Sequence, residues 1–153
     1  MAIEINRIVK LFEDLQHADC WVGNNFKETL SNVSAVMAAT TVLPNSNNIW
    51  QLTTHVIYWR TTVVNRLAGS NSTPTFNDFL LPNELTEKKW QQTLRDFTAA
   101  YHALHNALHT IKAEQLDKPT LRKTQTFYQL IMGCLQHDAY HLGQMILLKK
   151  SMA

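Results

Sequence analysis

Seven apolar residues between positions 90 and 111, namely Trp90, Leu94, Phe97, Tyr101, Leu104, Leu108 and Ile111, follow one another at intervals of 4, 3, 4, 3, 4 and 3. A seam of that period, held for three heptads, runs along one side of an α-helix and demands helical partners over its whole length. Other segments carry the same signal. Ile5, Ile8, Leu11, Phe12 and Leu15 recur at helical spacing in a first helix from about Ile3, and shorter helical pieces are expected between the break at residues 20–25 and Ala39. Pro44 and the Asn-rich residues after it read as a loop ending in an N-cap. Ile49, Leu52, Val56, Trp59, Val63 and Leu67 then form the stripe of a second long helix closing at Gly69. Thr86 caps the seam helix, and Thr126 caps a fourth that runs to about Lys150, with lysines in its last turn where they complement the helix dipole. Pro44, Pro74, Pro82 and Pro119 all fall between these blocks, and no segment alternates with the period of a strand. The expectation is an all-α chain: one four-helix-bundle domain over residues 1–153, with residues 70–85 as a long crossover connection.

With 45% apolar residues, a chain of this size excludes intrinsic disorder and buries roughly two-thirds of its extended surface. Its core therefore needs neither disulfides nor a structural metal, and a metal would be present for chemistry. The formal charge of +2 is small and dispersed, with no run of five like charges, so neither nucleic acid nor an anionic membrane is expected as a partner. No apolar run approaches the 18 residues of a membrane span. The Met1–Arg7 stretch lacks the basic and apolar regions of a signal peptide. A cytoplasmic location with Cys20 and Cys134 as reduced thiols is the expectation.

Seven histidines against two cysteines ask for an explanation, because imidazole is the commonest metal ligand. His137 and His141 stand one turn apart on the fourth helix, about 40° apart around its axis at roughly 100° per residue, and share the direction of Leu130, Cys134, Met145 and Leu148. Two buried rings so placed either find separate hydrogen-bond partners or share one divalent ion. His55, at the edge of the second helix's stripe near Gln51, Tyr58 and Thr62, is either a partly exposed boundary residue or a third ligand from another helix. His105 and His109 repeat the one-turn spacing, but they and His102 each follow a seam residue by one position and turn towards the flank; His17 has no evident partner. Cys134 reads either as a soft ligand one turn before His137 or as a small core thiol. Asp138 makes the segment His-Asp-x-x-His, one carbon short of the zincin pattern, and can orient a ligating imidazole, while Tyr140 and Gln144 complete a polar cluster.

The segment Cys134-Leu-Gln-His137-Asp-Ala-Tyr-His141-Leu-Gly-Gln, after a helix opened by Asn48-Ile-Trp-Gln-Leu-Thr-Thr-His55-Val-Ile-Tyr-Trp, resembles the DinB/YfiT-like superfamily of small four-helix bundles. The likeness extends to Trp21-Val-Gly, to Asn77-Asp-Phe-Leu-Leu-Pro and to the closing Gln144-Met-Ile-Leu-Leu-Lys-Lys. It implies that His55, His137 and His141 bind a divalent metal, zinc or nickel, and that the protein forms a homodimer acting on a small molecule. Relatives in that superfamily include transferases using bacillithiol or mycothiol, a mycothiol-dependent isomerase, and metal-dependent hydrolases; the family name implies no binding to DNA.

Three neutral imidazoles leave an ion its full charge and an open position, as in catalytic sites. A thiol there becomes a thiolate and a water becomes hydroxide. With what the resemblance implies, the first expectation is a metal-dependent enzyme transferring a low-molecular-weight thiol, as co-substrate, to an electrophile, with Asp138 and Tyr58 as candidates for moving the proton. The alternatives are a metal-dependent hydrolase and a non-catalytic metal-binding, stress-associated bundle.

Overall fold

The computed structural model describes residues 2–153, with side chains from Ile3 onward. Its long helices begin where polar side chains close their first turns. Asn48 accepts the N–H of Gln51, whose own side chain accepts the N–H of Asn48, and helix α4 follows over Ile49–Leu67. Thr86 opens α5 over Glu87–Thr110, and Thr126 with Gln129 forms the same reciprocal cap for α6 over Phe127–Ser151. Helix α1 covers Ala2–His17, and the expected short pieces are α2 (Phe26–Leu30) and α3 (Ala35–Ala39), capped by Asn25 and Ser34. Helix α4 stops two residues before Gly69, which takes a φ of +80° to turn the chain into the crossover. Among the described residues there is no strand, and the all-helical bundle with its long crossover is as expected.

Helix α4 packs against both α5 and α6, and α1 closes the other side of α5 and α6. The seam of α5 faces inward: Trp90, Phe97, Tyr101, Leu104 and Leu108 are buried, and only Leu94 is partly open. Trp90 donates its ring N–H to the carbonyl of Val33 at 2.6 Å and Trp50 donates to Thr93 at 3.0 Å, so both large rings are buried without an orphaned donor. Lys149, in the last turn of α6, donates to the carbonyls of Glu28, Thr29 and Ser31 and ties down the end of α2.

The apolar core divides into two clusters. One gathers Phe26, Trp50, Val56, Trp90, Leu142 and Met145; the other gathers Ile8, Phe12, Val63, Leu104, Leu108 and Ile131. Between them in sequence on α4 and α6 stand Arg60 and Asp138, each fully buried, with the Arg60 Nε–H donating to Asp138 Oδ2 at 2.8 Å. The Arg60 guanidinium also lies 5.2, 4.7 and 5.8 Å from the ring centroids of Phe26, Phe97 and Tyr101. Removing one member of such a pair strands the other charge in the core. Asp138→Ala should therefore lower the unfolding free energy of the metal-free protein by about 3–5 kcal/mol, and the apolar double replacement Arg60→Met with Asp138→Leu should recover much of it. Chemical denaturation checks this, and a loss below about 1 kcal/mol for Asp138→Ala would contradict the account.

Candidate metal centre

His55 stands on α4 two turns inside its N-terminus; His137 and His141 face it from the middle of α6. One ring nitrogen from each lies within 4.8 Å of the others. The nitrogens that converge are the three Nε2 atoms, with His137 at 2.9 Å from His55 and 3.1 Å from His141. The outer nitrogens are held apart from this meeting point. His55 Nδ1–H donates to Asp78 Oδ1 at 2.6 Å, and His141 Nδ1–H donates to Gln144 Oε1 at 2.6 Å. A neutral imidazole carries one N–H, so these two bonds turn the lone pairs of His55 and His141 towards His137.

That arrangement fits a cation better than hydrogen bonding. A single N–H on His137 Nε2 can serve only one of the two lone pairs it meets, whereas one ion satisfies all three nitrogens. Two nitrogens each about 2.0–2.1 Å from one ion stand about 2.8–3.4 Å apart at angles from octahedral to tetrahedral, a range that includes both separations that His137 makes. Imidazole donors suit zinc, nickel, copper or iron with little discrimination among them.

Electrostatics point the same way. Burial pushes the His141 pKa down to about 4, against the opposing bond to Gln144 and with added repulsion from its two His neighbours. Burial also lowers that of His55, opposed by Asp78. Both rings are thus kept neutral and able to ligate.

The crossover covers the centre. Phe79 stacks on His55 at 3.7 Å between centroids and 10° between planes, and its backbone N–H donates to the same Asp78 oxygen at 2.9 Å. Phe79 takes a φ of 52°, a left-handed conformation uncommon for a bulky residue, at the point where the segment grips the site. This reverses the exposures that helical phase suggested for two residues. His55 is buried, at 7% exposure, because residues 78–79 fold over it, and His137 is the half-buried one. Beside His141 a cavity of about 440 Å³ opens, walled by Leu52, Phe79, Tyr140, Leu147 and Leu148, with Asn45 and Asn47 also lining it.

The other candidates fall as follows. Asp138 is committed to Arg60 through Oδ2, while its Oδ1 and the His137 Nδ1, 3.8 Å apart, are both buried without a partner. Tyr58 sets its ring edge-on against Trp59 and Phe76. Cys134 is a buried core thiol whose pKa is raised first by burial and then by Asp138. His102 and His109 are exposed, and His105 meets Glu13 Oε1 at 3.2 Å. His17 is exposed with its ring edge-on to Tyr101. Sequence reasoning missed Arg60, Asp78 and Phe79. Arg60 carries a signal that can be read, since a charge four residues after Val56 and three before Val63 interrupts the α4 stripe and calls for a buried partner. Asp78 has none, because the crossover has no period.

Three imidazoles from two helices of a bundle, those of His55 and His141 anchored through their outer N–H groups, make a group that could hold a metal ion. The family model of the DinB superfamily matches residues 6–145, and the chain belongs to that superfamily. No curated protein and no solved structure matches it. Among the described residues no helix is long and apolar enough to cross a membrane.

Two outcomes follow. Asp78→Ala should weaken zinc binding by about 10–100-fold in competition with a chelating dye, and an unchanged affinity would detach Asp78 from the centre. In the metal-free protein the unfolded chain protonates its histidines near the ordinary value of 6.5 while folded His141 resists until about 4. The unfolded state then binds more protons, so the contribution of His141 is complete above that window and is lost as pH falls through it. The denaturant midpoint of metal-free protein should drop across this range more steeply than that of His141→Ala, and parallel curves would contradict the assignment.

Proposed function

We propose that the protein is a metal-dependent enzyme that transfers a low-molecular-weight thiol to an electrophile, with His55, His137 and His141 holding zinc or nickel. The observation that carries this reading is the convergence of three Nε2 atoms whose neighbours His55 and His141 are locked from behind by Asp78 and Gln144, beside a cavity able to take a small organic molecule. A bound divalent ion supplies the Lewis acidity that keeps a thiol as thiolate at neutral pH. The chain's own residues do the rest. Asp78 and Gln144 orient the ligands, Phe79 and Trp59 shield the rings from water, and Leu52, Leu147 and Leu148 offer an apolar bed for the electrophile. Asp138, bound by Arg60, takes a positioning role beside His137, which leaves Tyr58 as the candidate for moving the proton. The same reading includes a cytoplasmic location, where such thiols are held reduced, and a homodimer; the latter is supported by exposed Ile3, Leu11, Trp21 and Val22 along and just beyond α1.

The test uses protein purified without an affinity tag. Elemental analysis should find about one divalent ion per chain, light scattering should give twice the 17.6 kDa of one chain, and an aryl halide should be consumed only when a thiol is supplied. His137→Ala should lose both metal and rate. Consumption at the same rate without thiol would overturn the transferase reading in favour of a hydrolase, and stoichiometric metal with no turnover under either condition would favour a non-catalytic binder.

A further inference from the structure

A second cavity, about 220 Å³, reaches the centre from the N-terminal end of α6, and Trp59, Arg66, Gln125, Gly133 and His137 line it. Its chemistry is unlike that of the cavity beside His141, which has no cationic side chain in its walls. The Arg66 guanidinium lies over the Trp59 ring at 5.7 Å, and that ring is 6.1 Å from His137, so the charge stands no more than about 12 Å from a ligand. Among the described residues no carboxylate lies within 4.0 Å of Arg66. Partial burial and then the neighbouring Arg122 push its pKa down, an effect that an anion bound at Arg66 would oppose. Gly133 is the second sign. It sits inside α6 one turn before His137, where glycine weakens a helix, yet a Cβ there would meet nothing within 4 Å. Packing does not demand glycine at this position, which is open and lines the groove.

We infer that this groove between α4 and α6 is the subsite for a carboxylate of the thiol co-substrate, with Arg66 as the residue that takes the carboxylate and Gly133 as the opening for the thiol's stem. The assignment rests on the thiol-transfer reading and adds the direction of approach: an anionic thiol arrives past Trp59 on the His137 side, and the apolar electrophile occupies the cavity on the His141 side. A guanidinium fork takes a carboxylate through two parallel N–H bonds, which selects it over neutral groups of the same shape.

Cobalt-loaded full-length protein tests the assignment, with glutathione and its diethyl ester as probes, read by the thiolate-to-cobalt absorption band. The acid should bind about tenfold or more tightly than the ester. Arg66→Ala should bring the acid down to the ester's affinity and leave the ester unchanged, Arg66→Lys should fall between, and Gly133→Leu should weaken both without loss of cobalt. Equal affinities of acid and ester, or an Arg66→Ala protein that still prefers the acid, would overturn the subsite while thiol binding to the metal stands. If neither thiol produces the band in the cobalt-loaded protein, the thiol-transfer reading itself fails and takes the subsite with it.

Discussion

A guanidinium and a carboxylate shut away from water have to face each other, because either one alone in the core is far more costly than the pair. In this bundle that requirement couples four helices through one side chain. Arg60 on α4 donates to Asp138 on α6 while its cationic plane lies among Phe26 of α2 and Phe97 and Tyr101 of α5. The two apolar clusters on either side are non-directional and would tolerate a slip of one helix along another. The ion pair does not tolerate it. Since His55 lies five residues before Arg60 and His137 immediately before Asp138, the register set by the pair also sets the three imidazoles opposite one another.

The geometry of the centre then depends on groups behind the imidazoles. Asp78 and Gln144 each hold an outer ring nitrogen, and their bonds decide which lone pairs point inward. These anchors come from different kinds of structure. Gln144 rides on the same helix as the ring it holds, one turn away, so its placement is part of α6. Asp78 reaches His55 from the crossover, which ties an irregular segment to the most ordered part of the bundle.

Much of the architecture was legible in the residues themselves. The interval pattern from Trp90 to Ile111 is a statement about one helix face, and Thr86 and Thr126 cap as their side-chain chemistry requires. Phase also separated two histidine pairs of equal spacing. The rings of His105 and His109 are 4.7 Å apart, nearly as close as the 4.4 Å between His137 and His141, but their helix turns them away from the interior and, among the described residues, no third metal-ligating group gathers with them. Phase was less reliable for depth. His55 looked like an edge residue because its own helix is only one of its surroundings, and the part that buries it comes from more than twenty residues further on. Aperiodic segments carry no directional information, so neither Asp78 nor the stacking of Phe79 could be located before the chain was folded. Membership of the DinB superfamily adds the common framework and leaves these local assignments to the chain's own chemistry.

The grip of residues 78 and 79 on His55 makes the crossover a thermodynamic partner of whatever ion the imidazoles hold. Docking of the segment fixes the tautomer that favours coordination, and coordination in turn favours the docked segment; the two free energies are linked and equal in size from either end. A molecule that enters by lifting Phe79 off the ring must work against that linkage. Retention of an ion there and opening of the segment are thus opposed equilibria meeting in a single carboxylate, with the left-handed backbone of Phe79 at the point of contact.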